Sequence, residues 1–230
     1  MNKEEFINKL KELNIELTQE QEDQLEKYYE MLVETNKTTN LTRITNKEDV
    51  YLKHFYDSLT TVKVLDLKDN LSIIDIGTGA GFPGIVLKIV FPNLKITLLD
   101  SLNKRIEFLN KVIKELKLKD IETVHSRIED YDKQFDIVIS RAVAKTNILV
   151  ELSYDLLKKD GYFIFLKGNI EEELKESEHA LKELNLKLDK KEEFYLPIEN
   201  SKRTILKIKK LENNNKRNKR NFAQIKKNPL

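Results

Sequence analysis

The 230-residue chain contains no cysteine. That absence excludes disulfides, zinc–thiolate sites and a thiol nucleophile, and it suits a reducing compartment. No apolar run is long enough to cross a bilayer, and the charged N-terminal stretch has no apolar signal-peptide core, so a cytoplasmic protein without a membrane is expected. Glycine is scarce as well: of six in all, four (Gly77, Gly79, Gly81 and Gly84) fall in one short loop. Glycine weakens ordinary helices and strands and is used where the backbone turns with positive φ or approaches a ligand closely.

The glycines lie in IIDIGTGAGFPG, Ile73 to Gly84. Leu71–Ile76 reads as a buried parallel strand and Gly84–Val90 as the helix it feeds, so the loop is the first strand-to-helix turn of an α/β sheet, a place that binds nucleotides. Two fingerprints overlap there. Gly79, Gly81 and Gly84 spell the dinucleotide pattern G-x-G-x-x-G; Asp75, Gly77, Gly79 and Gly81 spell D-x-G-x-G-x-G, the loop of methyltransferases that bind S-adenosylmethionine. A pyrophosphate needs free N–H groups at the helix start. Pro83 has none, and the apolar Phe82 suits an adenosine or thioether better than a diphosphate, which favours the methyltransferase reading. A second strand, Leu94–Leu99, runs into Asp100, where either cofactor family places an acid on the ribose hydroxyls; the same acid could cap the helix that begins near Leu102.

Ahead of the glycine loop, Lys3–Leu13 and Thr18–Thr35 read as helices, the second opening on a capping box at Thr18 and Gln21. Asn36–Arg43 is a polar loop, and Lys47–Val64 a further amphipathic helix. Beyond Asp100 come a helix (Lys104–Lys117), strands Glu122–His125 and Phe135–Ser140, a helix (Asn147–Leu157), a turn at Lys159–Gly161, the strand Tyr162–Lys167 and a helix (Glu171–Leu184). The alternation predicts a doubly wound parallel sheet. Two β-like segments, Lys187–Leu196 and Arg203–Lys209 around a turn at Pro197–Lys202, close it with an antiparallel pair, as in a seven-stranded methyltransferase sheet and unlike a dehydrogenase, which would continue with a second βαβαβ half. The expected division is an N-terminal helical appendage over 1–66, a methyltransferase domain over 67–211 and a basic tail over 212–230.

Charge is unevenly placed. Residues 202–230 carry eleven Lys and Arg against one acid, Glu212, a net +10, whereas residues 1–201 carry 30 against 38, a net −8. Within the tail, Asn213–Asn221 has no apolar residue to bury and is expected to be disordered when alone. Basic tails of this kind seek phosphate backbones, with binding that weakens steeply as salt rises; a merely solvated tail is the alternative.

Six segments together carry a resemblance: NLTRI at Asn40–Ile44, HFYDSL at His54–Leu59, DIGTGAGFPG at Asp75–Gly84, DSLNKRIEFL at Asp100–Leu109, SRIED at Ser126–Asp130 and SRAVA at Ser140–Ala144. In order and spacing the chain resembles the bacterial small-subunit ribosomal RNA guanine-N7 methyltransferases, also called glucose-inhibited division protein B. The resemblance implies a Rossmann-like fold, S-adenosylmethionine as methyl donor, and methylation of one guanine of 16S ribosomal RNA at N7, within the small subunit, by a protein expected to be a monomer. It also implies cofactor contacts at Gly77, Phe82, Ile128, Glu129 and Arg141, beside the loop acid Asp75, Gly79 and the ribose acid Asp100. Arg141 cannot lose its charge and suits a carboxylate or phosphate; an ion pair to a nearby acid is its bland alternative. The tail keeps Arg220 and the ending Lys227-Asn228-Pro229-Leu230, but lacks the glycine and internal proline of the family pattern.

Guanine N7 has a lone pair and no proton, so transfer needs alignment more than a base. No catalytic base is expected, and no metal. Arg141, Lys167 and His54 are the positioning candidates, with His54 as readily a packing residue; Asp57 and Ser58 are equally ambiguous. The position where amine methyltransferases commonly carry N/D-P-P-Y/F holds SRAVA instead. A noncatalytic RNA-binding protein, an NAD-dependent oxidoreductase and a small-molecule methyltransferase remain the alternatives from other classes.

Overall fold

The computed structural model describes residues 1–67, 70–214 and 218–230. Part of the stretch expected to be disordered, residues 215–217, therefore lies outside the described residues.

Seven strands form one sheet in the order β3-β2-β1-β4-β5-β7-β6. They are β1 (Ser72–Ile76), β2 (Lys95–Asp100), β3 (Ile121–His125), β4 (Phe135–Arg141), β5 (Leu157–Lys167), β6 (Leu186–Tyr195) and β7 (Lys202–Lys210). The first five run parallel, and β7 is antiparallel to both β5 and β6. The parallel strands are short apolar runs because both faces are covered. On one face Ile73, Ile96, Leu98, Ile137 and Ile164 join the first hydrophobic cluster; on the other, their neighbours Ile74, Leu99, Val138 and Phe163 join the second. This period-2 division is the strand geometry working on a two-sided core. Chain connections leave β1 toward β2 on one side and return to β4 on the other, which creates the crevice where such sheets take ligands.

The N-terminal helices α1 (Lys3–Glu12) and α2 (Gln19–Asn36) both open on capping boxes, Asn2 with Glu5 and Thr18 with Gln21. Phe6, Leu10, Leu25, Tyr28 and Leu32 are buried in the same cluster as Ile85 and Leu109 of α5 (Gly84–Val90) and α6 (Asn103–Glu115), so the expected appendage has no core of its own. Later in the chain come α7 (Thr146–Ser153), α8 (Glu171–Glu183) and α9 (Phe222–Lys227).

Three local expectations differ from the structure. The segment read as one helix over Lys47–Val64 is instead α3 (Lys47–Val50), a π-helical stretch Tyr51–Tyr56, the short turn α4 (Asp57–Leu59) and a 3-10 turn Thr60–Lys63. The segment is buried nearly all round, His54 and Asp57 included, where an amphipathic helix would have left one face in water. Strand β5 starts at Leu157, five residues early, because Leu157 pairs with Phe135 before the register shifts at Ile137. The tail is fastened on both sides of the undescribed residues. Asn214 N–H donates to the Tyr154 hydroxyl (2.8 Å), and Arg220 forms two bonds to the buried Glu151 carboxylate, 2.6 and 2.7 Å. Asn221 then caps α9, whose Ile225 is fully buried.

Candidate functional site

The carboxyl ends of β1, β2 and β4 open on a cleft of about 960 Å³. Its floor is the glycine loop. Gly77 N–H and Thr78 N–H donate to Leu99 O at 2.8 and 3.1 Å, tying the loop across to β2. Gly77 has φ of +65°, and a Cβ there would sit 2.7 Å from Val143 Cγ2, so both conformation and clearance call for glycine. Gly81 has φ of +101°, and a Cβ would lie 2.6 Å from Ile85 Cγ1 and 2.7 Å from the Tyr28 hydroxyl. That hydroxyl donates to Ala80 O at 2.5 Å, so α2 buttresses the loop from behind.

Asp75 stands apart from the other expected cofactor contacts. It is fully buried and does not line the cleft; Oδ2 accepts from Thr78 Oγ1 (2.7 Å) and Gly84 N–H (2.9 Å), clasping the loop to the start of α5. Its other oxygen has no partner, and burial pushes its carboxyl up to about 7. The strand's period points it behind the loop, where Oδ2 is used by the loop's own donors, so among the expected contacts it braces the loop and does not face the cleft.

Asp100 lines the cleft, and the capping role given as its alternative is present. Oδ1 accepts from Leu102 N–H at 2.9 Å, at the start of α6; Oδ2 accepts from Gly79 N–H (2.9 Å) and the Arg105 guanidinium (3.0 Å). A carboxylate has about four acceptor positions. Three are filled, and the partly exposed Arg105 is the donor that can yield to a ligand hydroxyl. Ile128 and Glu129, in a 3-10 turn after β3, complete that end of the cleft.

At the other end Arg141 leaves β4 and meets the π-helical segment. Its Nη1 donates to Lys53 O (2.7 Å) and Asp57 Oδ2 (3.3 Å), and Nη2 faces His54 Nδ1 at 3.0 Å. The ion pair named as its bland alternative is thus present. His54 Nδ1 also lies 3.1 Å from Lys53 O, and Nε2 lies 3.0 Å from Thr42 Oγ1, so both ring nitrogens are engaged. Burial, with the Arg141 charge, pushes His54 down to about 3, so the ring is neutral. It stacks on Phe82 at 4.3 Å, and the Arg141 guanidinium covers the same ring at 5.2 Å. Asp57 is shared: its Oδ1 accepts from Arg203 Nε of β7 at 3.2 Å. Arg203 and Arg105 both line the cleft and escaped the sequence reading, since a lone arginine in a basic strand or a charged helix carries no periodic signal.

Lys167 reaches the cleft from β5, but its ammonium is engaged, pairing with Glu173 at 2.8 Å and bonding Ala144 O. It therefore braces the loop after β4. Among the described residues no group of His, Cys, Asp or Glu is arranged to hold a metal.

A glycine turn after β1, a cleft-facing acid ending β2 and a parallel sheet closed by an antiparallel β7 define the Rossmann-like methyltransferase class. The fold is matched by a solved S-adenosylmethionine-dependent methyltransferase from Aquifex aeolicus, with TM-score 0.54 and 17% identity over 71% of this chain and 93% of that one. A family model described as rRNA small subunit methyltransferase G matches residues 21–217, and the chain belongs to that family. Proteins named ribosomal RNA small subunit methyltransferase G from Lachnoclostridium phytofermentans and Lactobacillus helveticus are 48% and 45% identical to it. They cover 90% and 100% of this chain and 88% and 100% of their own lengths.

Proposed function

We propose that this protein transfers a methyl group from S-adenosylmethionine to N7 of a guanine in the 16S RNA of the small ribosomal subunit. The observation that carries the reading is the family match over residues 21–217, laid on a cleft whose donor set fits the cofactor. Bare backbone at Gly77 and Gly79 suits the methionine part, and Asp100 keeps acceptor capacity for a ribose hydroxyl. Ile128 and Glu129 suit the adenine edge, and Arg141 suits a carboxylate. When bound, S-adenosylmethionine supplies an electrophilic methyl on a sulfonium.

The chain's task is then alignment, which can provide much of the acceleration. Guanine N7 carries no proton to remove, and the neutral His54 has both ring nitrogens engaged, so it orients Arg141 rather than acting as a base. N7 faces the deep groove of A-form RNA, so the base must be unstacked or presented by a loop. Residues 1–66 act in this reading as a support for the glycine loop, and the tail of 212–230 as an RNA contact, within a monomer in the cytoplasm.

The test is to incubate the protein with labelled S-adenosylmethionine and small subunits lacking the modification, then map the label. Label on guanine N7 of 16S RNA is expected; label on an exocyclic amine or on protein refutes the reading.

A further inference from the structure

We infer that the ring of Phe222, carried by the docked tail, is the surface on which the acceptor base stacks. The inference rests on the reading above in one respect, that an RNA base enters this cleft. Only two phenylalanine or tyrosine rings line the cleft among the described residues, Phe82 and Phe222. Phe82 is not available: it is 5% exposed, with His54 stacked at 4.3 Å and the Arg141 guanidinium at 5.2 Å. Phe222 is 40% exposed. An apolar ring left open in the cleft offers a flat face for stacking, and every nucleobase has a matching one.

The ring's position is set by contacts that have no other evident use. Arg220, two residues before it, is clamped on Glu151 of α7 by two bonds, and its third donor reaches Asn228 O at 2.9 Å across α9. Asn221 caps α9, and Ile225 is buried against the body. Val143, 42% exposed on the loop after β4, adds a second apolar edge to the mouth. Lys219, Lys226 and Lys227 are exposed on the same short segment, so cations that can meet phosphates flank the ring.

The chain has no tryptophan, so F222W places a single tryptophan at the mouth, excited apart from the eight tyrosines at the red edge of the absorption band. With S-adenosylhomocysteine present, guanosine 5′-monophosphate is expected to quench that fluorescence while ribose 5-phosphate leaves it unchanged. Equal effects of the two, or none, overturn the inference, and this result does not depend on methyl transfer. In turnover on undermodified small subunits, F222A is expected to lower kcat/KM by about ten- to a hundredfold, as loss of a base–aromatic stack does. F222L should restore little and F222W most of it, with cofactor affinity unchanged in all three. Full rescue by F222L, or weakened cofactor binding in F222A, makes the ring a structural or cofactor contact and overturns the inference. Failure of the unsubstituted chain to label guanine N7 would instead sink the methylation reading and leave the quenching result standing.

Discussion

The contact between α2 and the glycine loop can be measured by a double-mutant cycle. Tyr28→Phe keeps the ring among Phe55, Phe82 and Phe108 but removes the hydroxyl that donates to Ala80 O. The buried carbonyl is left without its partner, a loss of about 1–3 kcal/mol. For a chain of this size that lowers the melting temperature by roughly 2–4 °C per kcal/mol. Gly81→Ala alone meets two costs. The residue is held at φ +101°, worth about 1–2 kcal/mol for an L side chain, and its Cβ would crowd Ile85, Tyr28 and Leu109, worth about 1–3 kcal/mol as overpacking. In the Tyr28→Phe background the hydroxyl oxygen, one of those three neighbours, is gone. The double variant should therefore be less destabilised than the sum of the singles by about 0.5–1 kcal/mol, a coupling of the size seen between touching residues. Urea titrations of the four proteins give the stabilities, and calorimetric titration with S-adenosylmethionine shows whether the loop's affinity follows. Additive stabilities, or a Tyr28→Phe variant as stable as the parent with unaltered affinity, would refute the idea that α2 holds the loop in shape.

Arg141→Ala should abolish turnover while circular dichroism stays native; ordinary activity in that variant removes Arg141 from the site. Below neutral pH the chain should lose stability through His54. Its folded value lies near 3 against 6.5 when unfolded, so between these the unfolded state binds the extra proton and stability falls as pH falls, by up to roughly 1.4 kcal/mol per pH unit. Asp75, raised from 3.8 to about 7, has the opposite slope, because there the folded state holds the extra proton and stability falls as pH rises through that window. The difference in urea midpoint between the parent and His54→Gln across pH 4.5–7 therefore isolates the histidine, and a difference that does not change with pH would count against its burial as neutral. Arg220→Met removes both bonds that tie the tail to the Glu151 carboxylate, which is 2% exposed, so the tail should undock and become protease-sensitive; a tail as resistant to protease in that variant as in the parent argues against the clamp.

Much of the architecture was legible because parallel strands announce themselves as apolar runs ending at polar turns. Ile73–Ile76, Ile96–Leu99 and Ile137–Ile139 are of this kind, and the loop of four glycines marks the ligand end without ambiguity. What stayed hidden depends on distant partners. No local pattern says that Arg220 will find Glu151, or that Arg203 and Arg141 will share Asp57, since each pair joins residues far apart in sequence. The π-helical turn at Tyr51–Tyr56 was read as ordinary helix because its apolar spacing fits both periods over so short a span. The position of Asp75 behind the loop was hidden for a related reason: a motif specifies which residues surround a ligand, but not which of them the loop keeps for its own hydrogen bonds.

The shared core of the N-terminal helices also sets an order of events during synthesis. Tyr28 packs on Phe82 and Phe108, the latter about 80 residues downstream. At roughly 5–20 residues per second, the interval between them is on the order of 4–16 s. Phe55 and Phe82 arrive within that interval, but until Phe108 follows the core around Tyr28 is incomplete. The first helices made thus wait for α5 and α6 before they are secured, and the nascent chain's exposure to chaperones and to self-association is greatest before the glycine loop emerges.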